Sequence, residues 1–182
     1  MTLRERLAEI AAEPWPPVDA VRGAAAIAFI AGMLTQATFG DRGVPILDSA
    51  NLAFHEAGHP LVGLFSSRLA VYGGTLFQLA IPAAATWAFW TRRHTLGFAL
   101  CLGWTCESLL NVATYMADAR AMQLPLVGGL DPEDYHDWRE IFRRWGMLDL
   151  DTTWAGLNRL VAWTVGLGTC AWLVRRWQDG RG

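Results

Sequence analysis

The chain has 182 residues, of which 53% are hydrophobic and only 18% are charged, so it is more apolar than a typical soluble domain. The formal net charge of −2 excludes the basic surface on which nucleic-acid binding depends. The three cysteines lie in apolar runs without regular spacing, which favours core side chains over a disulfide framework. We therefore expect an integral membrane protein.

The predicted fold class is all-α, a polytopic membrane helical bundle with four to five transmembrane helices. Residues 1–22 are a polar N-terminal segment, and residues 23–182 are expected to form a single membrane-embedded domain. Four apolar runs, each with at most one charged residue, are long enough to cross a bilayer as helices. They cover residues 23–40, 69–91, 95–117 and 154–174, and residues 44–65 are a further predicted span that carries polar side chains.

Residues 131–146 have the pattern of an amphipathic helix. Asp131 and Pro132 suit its first turn, and Gly146 suits its end. We expect the helix to lie on the membrane surface, and the alternative is a helix packed on a soluble domain, for which no other polar segment is long enough. That face consists of four side chains at helical spacing, which are Trp138, Ile141, Phe142 and Trp145.

Residues 54–60 read FHEAGHP and contain the strongest chemical motif of the chain. His55 and His59 are four residues apart, so on a helix their imidazoles share one face and can bind one zinc ion. Glu56 is placed to take a proton from a water that the zinc ion activates, which is the HExxH arrangement. The alternative is a pair of histidines that hydrogen-bond inside a helical bundle.

The third zinc ligand is expected elsewhere in the chain, because a catalytic zinc ion usually has three protein ligands. The HExxHxxGxxH continuation is absent, since Val62 and Phe65 occupy its glycine and last histidine positions. Ionisable residues in a span usually face the bundle interior and mark function. A later apolar segment carries a polar stripe on one helical face, which is either such a site or an interhelical hydrogen-bond ladder. The stripe consists of Glu107, Asn111, Thr114 and Asp118.

We predict that Asp118, His136 or both complete the zinc site. His136 supplies an imidazole, which suits zinc, and the adjacent Asp137 could orient a neighbouring ligand. Glu107 and Asn111 are supporting or alternative ligands, and Glu107 lies nearer the level of the HEAGH motif.

An HExxH motif in an apolar segment, with an acidic residue on a later one, resembles the site-2-protease family of intramembrane zinc metalloproteases. In that family the third ligand is an aspartate of an Asp-Gly motif, whereas Asp118 and Asp131 are not followed by glycine here. The chain is also similar to a group of small bacterial membrane proteins that share FHEAGH, W-x-x-E, Y-x-x-D-A-R and H-D-W. This second resemblance covers most of the chain. Its motifs are residues 54–59, 104–107, 115–120 and 136–138.

Together these features imply an integral-membrane zinc-dependent hydrolase, a metalloprotease of the site-2 type with Glu56 as general base. The expected partners are the lipid bilayer and a membrane-proximal peptide or protein substrate, and the expected location is the bacterial inner cell membrane. Two alternatives stay open. The chain could be a non-enzymatic metal-binding membrane protein, such as a sensor, a metal handler or an assembly factor. It could also be a dinuclear oxidase with carboxylates from Glu56, Glu107 and Asp118.

Overall fold

The computed structural model describes residues 1–40, 43–126, 129 and 131–181. Every regular element within these residues is helical, which confirms the all-α prediction. In chain order the elements are α1 (Leu3–Ala12), α2 (Ala20–Phe39), α3 (Pro45–Gly63), α4 (Ala70–Thr91), α5 (Thr95–Ala117), the single turn α6 (Pro132–Tyr135), α7 (Asp137–Trp145), a 3₁₀ turn (Leu148–Leu150) and α8 (Asp151–Asp179).

Three helical segments are long and apolar enough to cross a membrane, and they are α2, α5 and the segment Leu148–Asp179 that includes α8. This number is smaller than the four to five that we predicted. The difference lies in α3 and α4. Ionisable side chains lower the hydropathy of α3, and α4 contains glycine, glutamine, proline and tryptophan residues that contribute little hydropathy.

The outer surfaces of α2 and α8 are apolar. Phe29 is 57% exposed, Leu160 is 63% exposed and Leu167 is 59% exposed. Large apolar patches of this kind are uncommon on soluble monomers. These side chains are compatible with contact to lipid and with location of the chain in a membrane.

Helix α5 occupies the centre of the bundle and packs against α2, α4 and α8. Its contacts with the outer helices bury Ile30, Leu34 and Cys106 almost completely. Glycines bring the helices together, because a Cβ atom at Gly166 would lie only 2.4 Å from the Leu34 side chain. The central position of α5 explains why its polar side chains face other helices rather than lipid.

The predicted amphipathic helix of residues 131–146 is divided at His136 into α6 and α7, and most of the apolar face of α7 contacts the protein. Trp138, Ile141 and Phe142 are buried, and the helix packs against α4 and α5. Trp145 is about half exposed. The expectation that the apolar face lies on the membrane is therefore not met for these three buried side chains, because neighbouring helices cover them. This packing fixes the start of α7 beside α3.

Candidate metal centre

Two histidines of α3 and one aspartate of α7 form a compact cluster. The Nε2 atom of His55 lies 2.9 Å from Oδ2 of Asp137, and Nε2 of His59 lies 3.2 Å from the same oxygen. The potential ligand atoms of these three residues lie within 4.8 Å of one another. His55 and Asp137 are buried and His59 is partly buried. This cluster could hold a metal ion.

The outer ring nitrogens of both histidines face hydrogen-bond acceptors. Nδ1 of His55 lies 3.1 Å from Oε1 of Gln78, and Nδ1 of His59 lies 3.0 Å from the carbonyl oxygen of Ala70. A backbone carbonyl only accepts hydrogen bonds, so His59 donates from Nδ1. Such outer contacts fix the tautomer and the orientation of metal-binding histidines.

The orientation of the Gln78 amide follows from its further contacts. Its Nε2 donates to Oδ1 of Asn111 at 2.9 Å, and Nδ2 of Asn111 donates to a carboxylate oxygen of Asp48 at 3.3 Å. Because a carboxylate only accepts, both amides are oriented and Oε1 of Gln78 is left for His55. The Nδ1 atom of His55 is therefore also a donor.

This arrangement requires positive charge at the centre of the cluster. A neutral imidazole that is protonated at Nδ1 has a lone pair at Nε2, and both Nε2 atoms face an oxygen of Asp137 that is itself an acceptor. Protons on the imidazoles or a metal ion among the three residues would satisfy these atoms. Burial by itself raises the pKa of Asp137, but hydrogen bonds from His55 and His59 outweigh it and hold that pKa below its usual value.

Three glycines allow the histidines to reach this position. A Cβ atom at Gly58 of α3 would lie 2.1 Å from the carbonyl oxygen of Gly73 of α4, so the two backbones touch. A Cβ atom at Gly74 would lie 2.5 Å from Nε2 of His55. The imidazole of His55 therefore lies directly over the backbone of α4, in a space that only glycine leaves open.

Asp118 and His136, the predicted ligands, form a separate buried pair beside the cluster. Nε2 of His136 lies 3.4 Å from Oδ2 of Asp118, and Asp118 also accepts hydrogen bonds from the backbone of Gln123 and Leu124. Burial lowers the pKa of His136, and the nearby Asp118 offsets this only in part. The contact between Asp118 and His136 joins the end of α5 to the start of α7. Asp137 directly follows His136 in the chain.

Two further contacts fix the first turn of α7. Nδ1 of His136 accepts a hydrogen bond from the backbone of Arg139 at 3.2 Å, so His136 is the N-cap of the helix. The backbone N–H of Asp137 donates to the hydroxyl of Tyr115 at 3.0 Å. The sequence predicted Asp137 only as a residue that could orient a neighbouring ligand. Its position directly after His136 was the one signal that it could lie at the metal centre.

Glu107 and Asn111, the predicted supporting ligands, are not members of the cluster. Glu107 accepts a hydrogen bond from Nδ2 of Asn51 at 2.8 Å. Asn111 reaches His55 through Gln78, as described above. These residues therefore form the interhelical hydrogen-bond network that was the alternative to direct ligation, and one end of this network contacts a histidine of the cluster.

Glu56 lies between two cavities. The smaller cavity, of about 160 Å³, is lined by the three cluster residues together with Glu56, Tyr115 and Tyr135. The larger one, of about 460 Å³, is also lined by His55 and Glu56 and extends to Asn111 and Glu107. The side chain of Glu56 is exposed at the surface of the protein, next to the cluster residues with which it lines the smaller cavity.

Comparison with known proteins identifies no relative of this chain. No protein-family model matches it, and neither the curated proteins nor the solved structures gave a match. The resemblance to site-2 proteases therefore rests on the HExxH motif, its apolar setting and the acidic residue on a later segment.

Proposed function

We propose that the protein is an integral-membrane zinc-dependent hydrolase, and specifically a metalloprotease of the site-2 type. The observation that carries the proposal is the convergence of His55, His59 and Asp137 beside Glu56 on the wall of one cavity. Two imidazoles and one carboxylate are a donor set typical of zinc hydrolases. The outward hydrogen bonds of both rings also match the second shell of zinc sites.

His55, His59 and Asp137 would hold the zinc ion. Zinc, when bound, supplies a Lewis acid that lowers the pKa of a coordinated water and polarises a substrate carbonyl. Glu56 would accept the proton of the attacking water and transfer it to the leaving amine. Among the described residues no hydrogen bond is made by the Glu56 side chain, so it is free to turn toward the cluster.

The larger cavity is suited to a membrane-proximal peptide. Its volume of about 460 Å³ lies in the range of small-molecule and peptide sites. Its wall combines apolar side chains, such as Leu52 and Leu126, with the amide of Asn111. An extended backbone requires polar partners of this kind in an otherwise apolar setting.

The replacement Glu56→Gln tests the proposal. Purified protein in lipid nanodiscs is expected to bind one zinc ion per chain in both forms, because Glu56 is not a ligand. Cleavage of single-span transmembrane peptides and dye-labelled casein, followed by mass spectrometry of new termini, is expected only for wild type. Glu9→Gln on the exposed face of α1 is the matched control and should retain full cleavage.

Two outcomes contradict the proposal of a zinc hydrolase with Glu56 as its general base. Cleavage that survives Glu56→Gln would remove Glu56 from the reaction. Zinc binding that depends on His55 and His59, without cleavage of any substrate by wild type, would favour the non-enzymatic metal-binding protein.

A further inference from the structure

A second acidic site lies in the larger cavity, away from the histidine cluster. Asp48 of α3 and Glu107 of α5 both line this cavity, and the two side chains interact with each other. Neither residue belongs to the group of His55, His59 and Asp137. No arginine is among the described residues that line the cavity, and the chain contains no lysine.

Glu107 is a fully buried carboxyl group with one unused oxygen. Its exposed fraction is 0%. Oε2 accepts from Asn51 at 2.8 Å, and Asn51 in turn is held by Trp104 and Ser108. Oε1 is also buried, and it has no hydrogen-bond partner among the described residues. An unpaired buried carboxylate is costly unless a positive charge compensates it.

Asp48 is held by donors rather than by a cation. The backbone N–H of Val44 donates to Oδ2 at 2.7 Å, and Asn111 donates to Oδ1 at 3.3 Å. A Cβ atom at Gly43 would lie 2.0 Å from Oδ2, so the chain before α3 wraps closely around this carboxylate. Each of these neighbours donates a hydrogen bond or makes room, and a carboxylate has about four lone-pair sites, so some of them remain for a further ligand.

We propose that Asp48 and Glu107 together bind a hard divalent cation of the Mg²⁺ class, at a site distinct from the histidine cluster. Mg²⁺ is commonly held by one or two carboxylates and keeps several waters. The unused Oε1 of Glu107 and the remaining lone pairs of Asp48 supply the oxygen ligands. The adjoining cavity of about 460 Å³ has room for the waters, since each needs about 30 Å³.

The cation site is connected to the proposed zinc site through side chains. Asp48 orients Asn111, Asn111 orients Gln78, and Gln78 faces Nδ1 of His55. A cation bound at Asp48 would therefore lie at one end of a chain of hydrogen bonds, and the imidazole of His55 lies at the other end. This inference does not depend on hydrolysis, because it concerns metal binding at Asp48 and Glu107, which are neither proposed zinc ligands nor the proposed general base.

Manganese(II) is a suitable probe because it replaces Mg²⁺ and its electron paramagnetic resonance signal reports binding. The protein in nanodiscs is first saturated with zinc and freed of excess metal, so that the histidine cluster is not available to manganese. We expect one further Mn²⁺ per chain, displaced by Mg²⁺. Glu107→Gln and Asp48→Asn should each lower its affinity at least about tenfold, because one of two charged ligands is lost.

Two controls separate this site from the zinc site. Glu9→Gln should leave Mn²⁺ binding unchanged. His55→Ala should lose zinc affinity and keep the Mg²⁺-competed Mn²⁺ signal, so failure of one proposal does not imply failure of the other. Mn²⁺ binding that is equal in wild type, Glu107→Gln and Asp48→Asn would overturn the inference.

Infrared difference spectroscopy of the wild-type protein provides a test that needs no variant. Adding Mg²⁺ should shift the carboxylate stretching bands. A difference spectrum without any change in the carboxyl or carboxylate bands would overturn the inference, because neither Asp48 nor Glu107 would then bind Mg²⁺.

Discussion

The replacement Gln78→Leu tests how the metal centre is oriented. Gln78 is only 3% exposed, and its amide makes one hydrogen bond to His55 and one to Asn111. Leucine has a similar volume and removes both bonds. The Nδ1–H of His55 would then be buried without an acceptor, and the imidazole would lose the contact that aims Nε2 at Asp137.

Two losses are expected. Removing the outer partner of a metal-binding histidine costs about 10–100-fold in metal affinity, which corresponds to about 1.4–2.8 kcal/mol. The buried Nδ1–H without an acceptor should separately lower the folding stability by about 1–3 kcal/mol. Gln78→Glu retains an acceptor oxygen toward Nδ1–H but places its second oxygen against the acceptor Oδ1 of Asn111, so it should restore only part of the zinc affinity that Gln78→Leu loses.

The assay is a competition titration of zinc against a chromophoric chelator, with protein in nanodiscs. Gln178→Leu, at an exposed position near the end of α8, is the matched control and should bind zinc like wild type. A Gln78→Leu protein with wild-type zinc affinity and wild-type thermal stability would refute the reasoning. It would mean that Gln78 does not orient a metal ligand.

Two other replacements test the framework around the cluster. Gly74→Ala places a Cβ atom 2.5 Å from Nε2 of His55 and should weaken zinc binding by about tenfold or more, as expected when a ligand is displaced. Gly168→Ala is the control, because a Cβ atom there would meet nothing within 4 Å, and it should bind zinc like wild type. Equal zinc affinities of the two variants would contradict the account. Asp118→Asn removes the charge that faces His136 and weakens the acceptor for Gln123 and Leu124. The variant should bind zinc about tenfold more weakly, because a displaced His136 would move the adjacent Asp137. A variant with wild-type zinc affinity and a lower unfolding temperature would assign Asp118 a purely structural role.

The helical class and the two histidines could be predicted from sequence because both depend on local patterns. Apolar runs of about 20 residues predict helices, and a spacing of four places His55 and His59 on one face. The number of membrane-spanning helices was overestimated, since the polar side chains of α3 and the glycines of α4 lower hydropathy while serving packing within the bundle. That packing depends on contacts between helices, which no single segment reveals.

The third member of the cluster could not be predicted because it depends on the tertiary placement of α7. His136 and Asp137 are adjacent, and imidazole was the more attractive zinc ligand. The structure uses His136 as the N-cap of α7 and aims it at Asp118, so the next side chain points to the histidines. The same limit applies to Trp138 and Phe142, whose apolar pattern fits a membrane surface and a protein core equally well.

Zinc K-edge X-ray absorption of the zinc-loaded wild-type protein tests the central claim most directly, because it reports the ligand types around the metal. The account predicts two imidazoles and oxygen ligands at about 2.0–2.2 Å, with no sulfur despite the three free cysteines. A spectrum with a thiolate ligand, with fewer than two imidazoles, or from a protein that retains no zinc after dialysis would contradict a metal centre at His55, His59 and Asp137.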